Sequence, residues 1–376
     1  MGTDAMTTTG GWEALPFQFW SVMLFVLGCI VGSFLNVCIH RMPLGMSIVH
    51  PPSHCPHCKY AIPFYLNIPL MTWIALGGRC KNCGAPISFR YLLVELLTGA
   101  AFLGCWLKFG DADHPLPSVP LALVFAALLA GLIVATFIDF EHFIIPDEIT
   151  YGGMVLGVVL SILVPAMHGA ASDGVAVLRS LVGIGVGAGV VYAILRLGKL
   201  LFGRQVVKLE PGTKIVFTET TLCLPNEEVP YEEIFYRKSD TVVVTARRVE
   251  LVDRCYQDVT IRLSPAELVI GEDKLDPAAC GHLEAECAEV VLPREAMGLG
   301  DVKFMGAIGA FIGWQGALFS LMVSSLIGAV AGMALIALHR RQWSSRMPYG
   351  PYIALAAVIW VFAGARIVAV VFPPAN

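Results

Sequence analysis

The chain has 376 residues, 56% of them hydrophobic and 14% charged, with a mean hydropathy of +0.72. Soluble domains carry about 25% charged residues, and the apolar excess here is gathered in long runs, so the composition excludes an ordinary soluble domain and predicts a polytopic helical membrane protein. A net charge of −4 gives no indication of nucleic-acid binding, and 11 cysteines in so long and apolar a chain do not make a secreted disulfide scaffold.

Residues 1–18 lack the basic n-region and small-residue cleavage site of a secretory signal, so the first apolar run reads as a retained span. Apolar runs of bilayer length are expected at about eight places: 17–39, 90–108, 119–140, 150–168, 175–200, 299–317, 318–338 and 350–372. Only a short turn near Gly313 to Gly316 separates the sixth from the seventh. The expected fold class is an all-α polytopic membrane protein with a zinc-ribbon-like loop and a β-rich insert, both cytoplasmic. The expected parts are 1–40 (first span), 41–89 (four-cysteine loop), 90–203 (second to fifth spans), 204–293 (insert) and 294–376 (last three spans).

Orientation follows from Lys and Arg. Under this span assignment, twenty-two of the 25 fall on one side, including Arg41, Lys59, Arg79, Lys81, Arg90, Arg294, Lys303, Arg340, Arg341 and Arg346; Lys108, Arg179 and Arg366 fall on the other. The positive-inside rule then puts both termini outside and the large loops in the cytoplasm.

In the first loop, Cys55 and Cys58, then Cys80 and Cys83, form two C-x2-C pairs. Four thiolates so spaced suit a closed tetrahedral structural zinc site, which leaves no open position for water. Free thiols or two disulfides are the alternative, and His54 and His57 are adjacent bystanders. Cys29, Cys38 and Cys105 lie in apolar runs and read as packing residues, whereas Cys223, Cys255, Cys280 and Cys287 are scattered in a polar segment.

Asp139 ends the third apolar run, followed by Glu141, Pro146 and Asp147; the proline predicts an interfacial helix break. Glu141 and Asp147 read as solvated interfacial acids, but Asp139 has apolar sequence directly before it, and an intramembrane acid is a candidate for function. The glycines of GIGVGAG, 183–189, predict close helix packing rather than nucleotide binding. Residues 204–293 hold alternating stretches such as KIVFTET, TVVVTARRVEL, DVTIRLS and ELVIGEDKL, which read as strands. Beyond them Gly298 and Gly300 flank Leu299 and precede Asp301, at the start of the sixth run. The span count puts Asp139 and Asp301 at the same depth, near the cytoplasmic surface. Two close carboxyls share a proton. The ionised member can take a proton from water, while the neutral one hydrogen-bonds a scissile carbonyl and later protonates the leaving amine. An ion- or proton-coupled transporter could use the same acids, although neither an inverted repeat nor a midplane acid is visible.

GSFLNVCIHRMP (32–43), the two cysteine pairs, FRYLLVELLTG (89–99), IDFEHFIIPDEIT (138–150) and EAMGLGDVKFMGAIGAFIGW (295–314), taken in this order, resemble the type IV prepilin peptidase family of GxGD aspartic membrane proteases. The resemblance implies a bifunctional enzyme of the bacterial inner membrane. It would cut the basic leader from prepilins or pseudopilins after a glycine, then methylate the new N-terminal amine with S-adenosylmethionine. It matches Asp139 and Asp301 to the family's protease aspartates, Cys55, Cys58, Cys80 and Cys83 to its cysteine tetrad, and Gly78 and Arg79 to the region linked to methyl transfer. The insert at 204–293 departs from the family's short connection. Its acidic excess would suit basic leaders or a partner protein, or simply be a solvated surface.

Overall fold

The computed structural model describes residues 15–202, 204–225, 227–235, 240–251, 254–277, 280–293, 298–338 and 347–371. Arg294, Arg340, Arg341 and Arg346, used above for orientation, lie outside the described residues, as do most of 1–18 and residues 295–297 of the last motif. The chain divides into two compact units: one comprises the segments up to Tyr192 and from Leu299 onward, the other Ala193–Gly298.

In the first unit α1 (Phe17–Arg41) is followed by the cysteine loop, which contains the short helix α2 (Met71–Ala75). Then come α3 (Phe89–Phe109), α4 (Pro115–His142), α5 (Asp147–Leu163) and α6 (Asp173–Phe202), whose residues beyond Tyr192 count with the second unit. Helices pack closely in a membrane where small residues let backbones approach. A Cβ on Gly28 of α1 would lie 2.8 Å from the Gly99 Cα of α3, and one on Gly32 would lie 2.7 Å from the Glu95 Cα.

The second unit holds an eight-stranded antiparallel sheet: β1 (Arg204–Thr218), β2 (Thr221–Leu224), β3 (Glu227–Pro230), β4 (Val242–Glu250), β5 (Cys255–Leu263), β6 (Leu268–Ile270), β7 (Asp273–Leu275) and β8 (His282–Pro293). One helical turn, α7 (Tyr231–Ile234), follows β3. The spatial order is β3-β2-β1-β8-β4-β5-β6-β7, so the first and last long strands are neighbours. They pair from Arg204 opposite Pro293 to Thr218 opposite His282, which brings the two ends of the insert side by side. Alternation puts Val242, Val244 and Ala246 of β4 into a core with Ile215, Phe217, Ile261, Ile270 and Leu283. The β4–β8 register shifts around Ala246 and Arg248, and Val249 is again buried beyond the shift.

The first unit resumes with α8 (Leu299–Ala337) and α9 (Gly350–Val371). The α8 span of 39 residues is interrupted at Gly313, where φ is 70° and ψ −179°. A Cβ on Gly187 of α6 would meet both the Met305 carbonyl and the Ala317 Cβ. A straight helix would separate residues 305 and 317 by about 18 Å, so the chain doubles back at Gly313, where only glycine takes this backbone readily.

Two expectations are thereby corrected. The fold is mixed rather than all-α, because the insert is a full sheet. Eight spans are not confirmed: among the described residues six helices are long and apolar enough to cross a membrane. The expected fourth span ends early, since α5 has 17 residues and gives way to a 3-10 turn at Pro165–His168. The expected sixth and seventh are two helical halves of α8 that meet at Gly313, so the short turn expected there is a single glycine. Six apolar helices make this a multi-pass membrane protein.

Gly183 and Gly187, four apart on α6, face α8: a Cβ at Gly183 would collide with the Gly309 carbonyl, whereas Gly185 and Gly189 face open space. Gly183→Val is therefore expected to destabilise the first unit by about 1–3 kcal/mol, the usual cost of overpacking. Gly185→Ala should be neutral or slightly stabilising. Thermal unfolding of both variants in one detergent, followed by tryptophan fluorescence, checks the contrast.

Candidate functional site

Asp139 lies in the last turn of α4 and is 5% exposed. Its backbone carbonyl accepts from the N–H of Phe143, whose left-handed backbone (φ 55°) ends the helix. Pro146 then precedes α5, as its missing N–H and fixed φ favour at a helix start. The Asp139 side chain has a partner from far along the chain. Its Oδ2 accepts the Gly350 backbone N–H at 2.8 Å, in a buried bond across 211 positions. Gly350 is the first residue of α9, and a Cβ there would lie 2.7 Å from that same oxygen. The approach therefore requires glycine. Tyr349 anchors the adjoining strap: its hydroxyl lies 2.9 Å from both Ser324 Oγ and Ser325 Oγ of α8.

Asp301 is the third residue of α8 and half-buried. A Cβ on Gly300 beside it would lie 3.6 Å from Ile145 Cβ, and one on Gly350 would lie 3.3 Å from Ile145 Cδ1. One isoleucine thus separates the residue preceding Asp301 from the residue that binds Asp139. Lys303, two residues on, donates to Asp147 Oδ1 at 2.6 Å, so the start of α8 lies along the 145–147 link. Gly298 immediately precedes α8. Glu141 and Asp147 are exposed and ion-paired, with Arg90 and Lys303 respectively. Sequence reasoning missed Gly350 and Tyr349. The available signal was PYGP, 348–351, a glycine between prolines opening an apolar run.

The four cysteines of the first loop form a second centre. Their sulfurs lie within 4.8 Å of one another, with Cys55–Cys83 at 3.8 Å and Cys58–Cys80 at 3.9 Å. Tetrahedral bonds of about 2.3 Å put sulfurs about 3.8 Å apart, so the set fits a four-thiolate metal ion. Each pair sits on the same kind of turn. Lys59 N donates to Cys55 O and Gly84 N to Cys80 O, both at 2.9 Å, while Cys55 N and Cys80 N bond the carbonyls of Tyr60 and Ala85. Lys59 and Gly84 have positive φ (58° and 70°). Hydrogen bonds from the Asn82 side chain first, and the Tyr60 backbone next, hold the Cys58 thiol down to about 6, which favours a thiolate there, whereas at Cys83 the lowering Ala85 backbone bond is outweighed by burial and the neighbouring thiols, which push it up to about 11. His54 Nδ1 instead lies 3.0 Å from Pro52 O. Gly78, buried, and Arg79, exposed, occupy the turn that leads into Cys80.

One Co(II) per chain is expected to bind here, with thiolate charge-transfer and tetrahedral d–d absorption. Cys58→Ser and Cys80→Ser should each weaken that binding by at least ~10-fold through loss of a ligand. Spectrophotometric titration checks both.

Two family models match the chain. Bacterial Peptidase A24 N-terminal domain covers 26–109, and Type IV leader peptidase family covers 126–209 and 278–333. The residues between the last two segments carry most of the sheet. A prepilin leader peptidase/N-methyltransferase of Myxococcus xanthus (strain DK1622) is 49% identical over 152 residues, which is 40% of this chain and 43% of that protein. One from Aeromonas hydrophila is 27% identical over 375 residues, 93% of each. A type 4 prepilin-like proteins leader peptide-processing enzyme of Escherichia coli O78:H11 (strain H10407 / ETEC) is 40% identical over 156 residues, 37% of this chain and 55% of that protein. No solved structure matches.

Proposed function

Because this chain belongs to the type IV leader peptidase family, we propose that it is a bifunctional membrane enzyme that cleaves the leader of type IV prepilins or pseudopilins and methylates the new N-terminus. The observation that carries the cleavage half is the buried Asp139 carboxylate, held by Gly350 and separated from the Gly300–Asp301 turn by Ile145. Asp139 and Asp301 are the proposed catalytic pair. With one proton between them, the ionised member accepts a proton as the oxygen of water bonds to the scissile carbonyl carbon. The neutral member hydrogen-bonds the carbonyl oxygen and then protonates the leaving amine as the C–N bond breaks. The pair titrates jointly. A substrate with an apolar segment in the bilayer and a basic leader outside it would present its junction at the interface where α4 ends.

The proposed setting is a bacterial inner membrane, with both acids and the cysteine loop on the cytoplasmic side, as the Lys and Arg distribution argues when α5 and the two halves of α8 are each counted as a crossing. Cys55, Cys58, Cys80 and Cys83 are the proposed zinc ligands. The metal would supply folding free energy to a loop with little core, and its closed ligand set assigns it no hydrolytic role. S-adenosylmethionine would supply the methyl group. Gly78 and Arg79 are the residues proposed to serve that step: Gly77 and Gly78 have positive φ (58° and 66°), and the exposed Arg79 guanidinium suits the carboxylate of such a cosubstrate. The relatives named above are all leader-processing enzymes, and none favours an ion-coupled transporter.

Asp139→Asn and Asp301→Asn are each expected to lower leader cleavage by at least ~10³-fold while the protein still inserts. Gly350→Ala, which pushes a methyl group against Asp139 Oδ2, should lower kcat ~10–100-fold. Mass spectrometry of a co-expressed prepilin reads both the cut and the methyl increment; cleavage at the wild-type rate in either aspartate variant rejects the dyad.

A further inference from the structure

A second buried carboxylate of the first unit, besides Asp139, takes no part in the chemistry above. Glu95, in the membrane-spanning helix α3, is 8% exposed. Its backbone is fixed by the close approach of Gly32 on α1. Its Oε2 accepts the backbone N–H of Leu70 at 2.7 Å, twenty-five residues back along the chain.

Leu70 is a strained residue. It has φ 60° and ψ −53°, and the N–H of Met71 bonds back to Pro69 O at 2.6 Å. This is a γ-turn with a positive central φ, a rare conformation that a side chain disfavours. Such a turn persists only where its surroundings hold it, and the Glu95 carboxylate is the group that reaches it.

The turn fixes where the next helix starts. Leu70 immediately precedes α2, and Trp73 of α2 donates Nε1–H to Ile87 O at 3.3 Å and meets Phe89 edge-on at 5.9 Å. The Trp73 ring covers Gly78 so closely that a Cβ there would lie 2.8 Å from Trp73 Cζ2. Gly78 N donates to Trp73 O at 2.9 Å, and Ile87 N donates to Gly78 O at 2.7 Å. Arg79 and Cys80 come directly after. A continuous chain of bonds and packing therefore runs from Glu95, through Leu70 and Trp73, to the turn that presents Arg79.

We propose that Glu95 is a positioning residue for methyl transfer: from within a membrane span it pins the strained turn at Leu70 and so fixes where Trp73 holds Gly78 and Arg79. This rests on the reading that Gly78 and Arg79 serve the methyl-transfer step, and gives that step an anchor separate from the cleavage acids.

The test uses the full-length enzyme in proteoliposomes, assayed separately for cleavage of a prepilin and for methylation of an already processed pilin with labelled S-adenosylmethionine. Glu95→Ala is expected to lower methylation at least ~10-fold by misplacing the turn, with cleavage within about twofold and Co(II) binding retained. Glu95→Gln, whose amide oxygen still accepts from Leu70, should keep at least about half the wild-type methylation rate. Adding Leu70→Gly to Glu95→Ala should bring methylation back to within about threefold of wild type, because glycine adopts the positive φ without an anchor. A purely structural defect would not be rescued this way. Methylation at the wild-type rate in Glu95→Ala, or cleavage and methylation falling together without rescue by Leu70→Gly, overturns the proposal. Where Glu95→Ala fails to accumulate, Glu95→Asp decides: it keeps the charge but withdraws the acceptor, and unchanged methylation there overturns the proposal. Arg79→Ala separates the two claims. If it abolishes methylation while Glu95→Ala does not, the proposal alone fails; if it leaves methylation unchanged, the underlying reading fails with it.

Discussion

A single backbone N–H, given by Gly350 to the carboxylate of Asp139, ties the end of α4 to the start of α9. The bond is buried, and leaving either polar group unpaired there would be costly. It also satisfies one of the free N–H groups at the start of α9. Ile145 lies against both Gly350 and Gly300, so the link after α4 and the first turn of α8 close around the same point. The end of α4 thereby meets the starts of α8 and α9.

Glycine makes the rest of the membrane unit possible. Gly28 and Gly32 bring α1 against α3, Gly183 and Gly187 bring α6 against α8, and Gly313 lets α8 turn back on itself. In lipid, association gains little from excluding water, and helices hold together by van der Waals contact at close range. A stripe of small residues is then worth more than a stripe of leucines. The same closeness sets the Glu95 backbone against α1 at Gly32, from where its carboxylate accepts the Leu70 N–H.

The two centres are built on different principles. The cysteine loop is local, each half being a short turn closed by its own backbone bonds, and a bound ion would complete it. The proposed acid site is dispersed, with Asp139 at the end of one helix, Asp301 at the start of another and Gly350 at the start of a third. A loop that brings its own ligands together needs little from the rest of the fold. A dispersed site needs the whole bundle.

Local chemistry was determined by the sequence alone. Cys55, Cys58, Cys80 and Cys83 announce their turns by spacing, Pro146 marks the break between α4 and α5, and the regularly spaced glycines of GIGVGAG mark a packing stripe, because each effect acts over a few residues. Alternation likewise betrays β4, β5 and part of β1, while Leu283, Ala285 and Cys287 show that β8 alternates too, outside the stretches read as strands. Only the tertiary structure decided that Gly350 holds Asp139 and that Glu95 holds Leu70. It also decided which glycines of the stripe face α8, and that the turn between the sixth and seventh apolar runs narrows to Gly313 alone. These contacts join residues whose separation along the chain has no fixed relation to their distance in space. Their geometry arises when whole helices settle against one another, and hydrophobic periodicity reports which face is apolar but not which partner covers it.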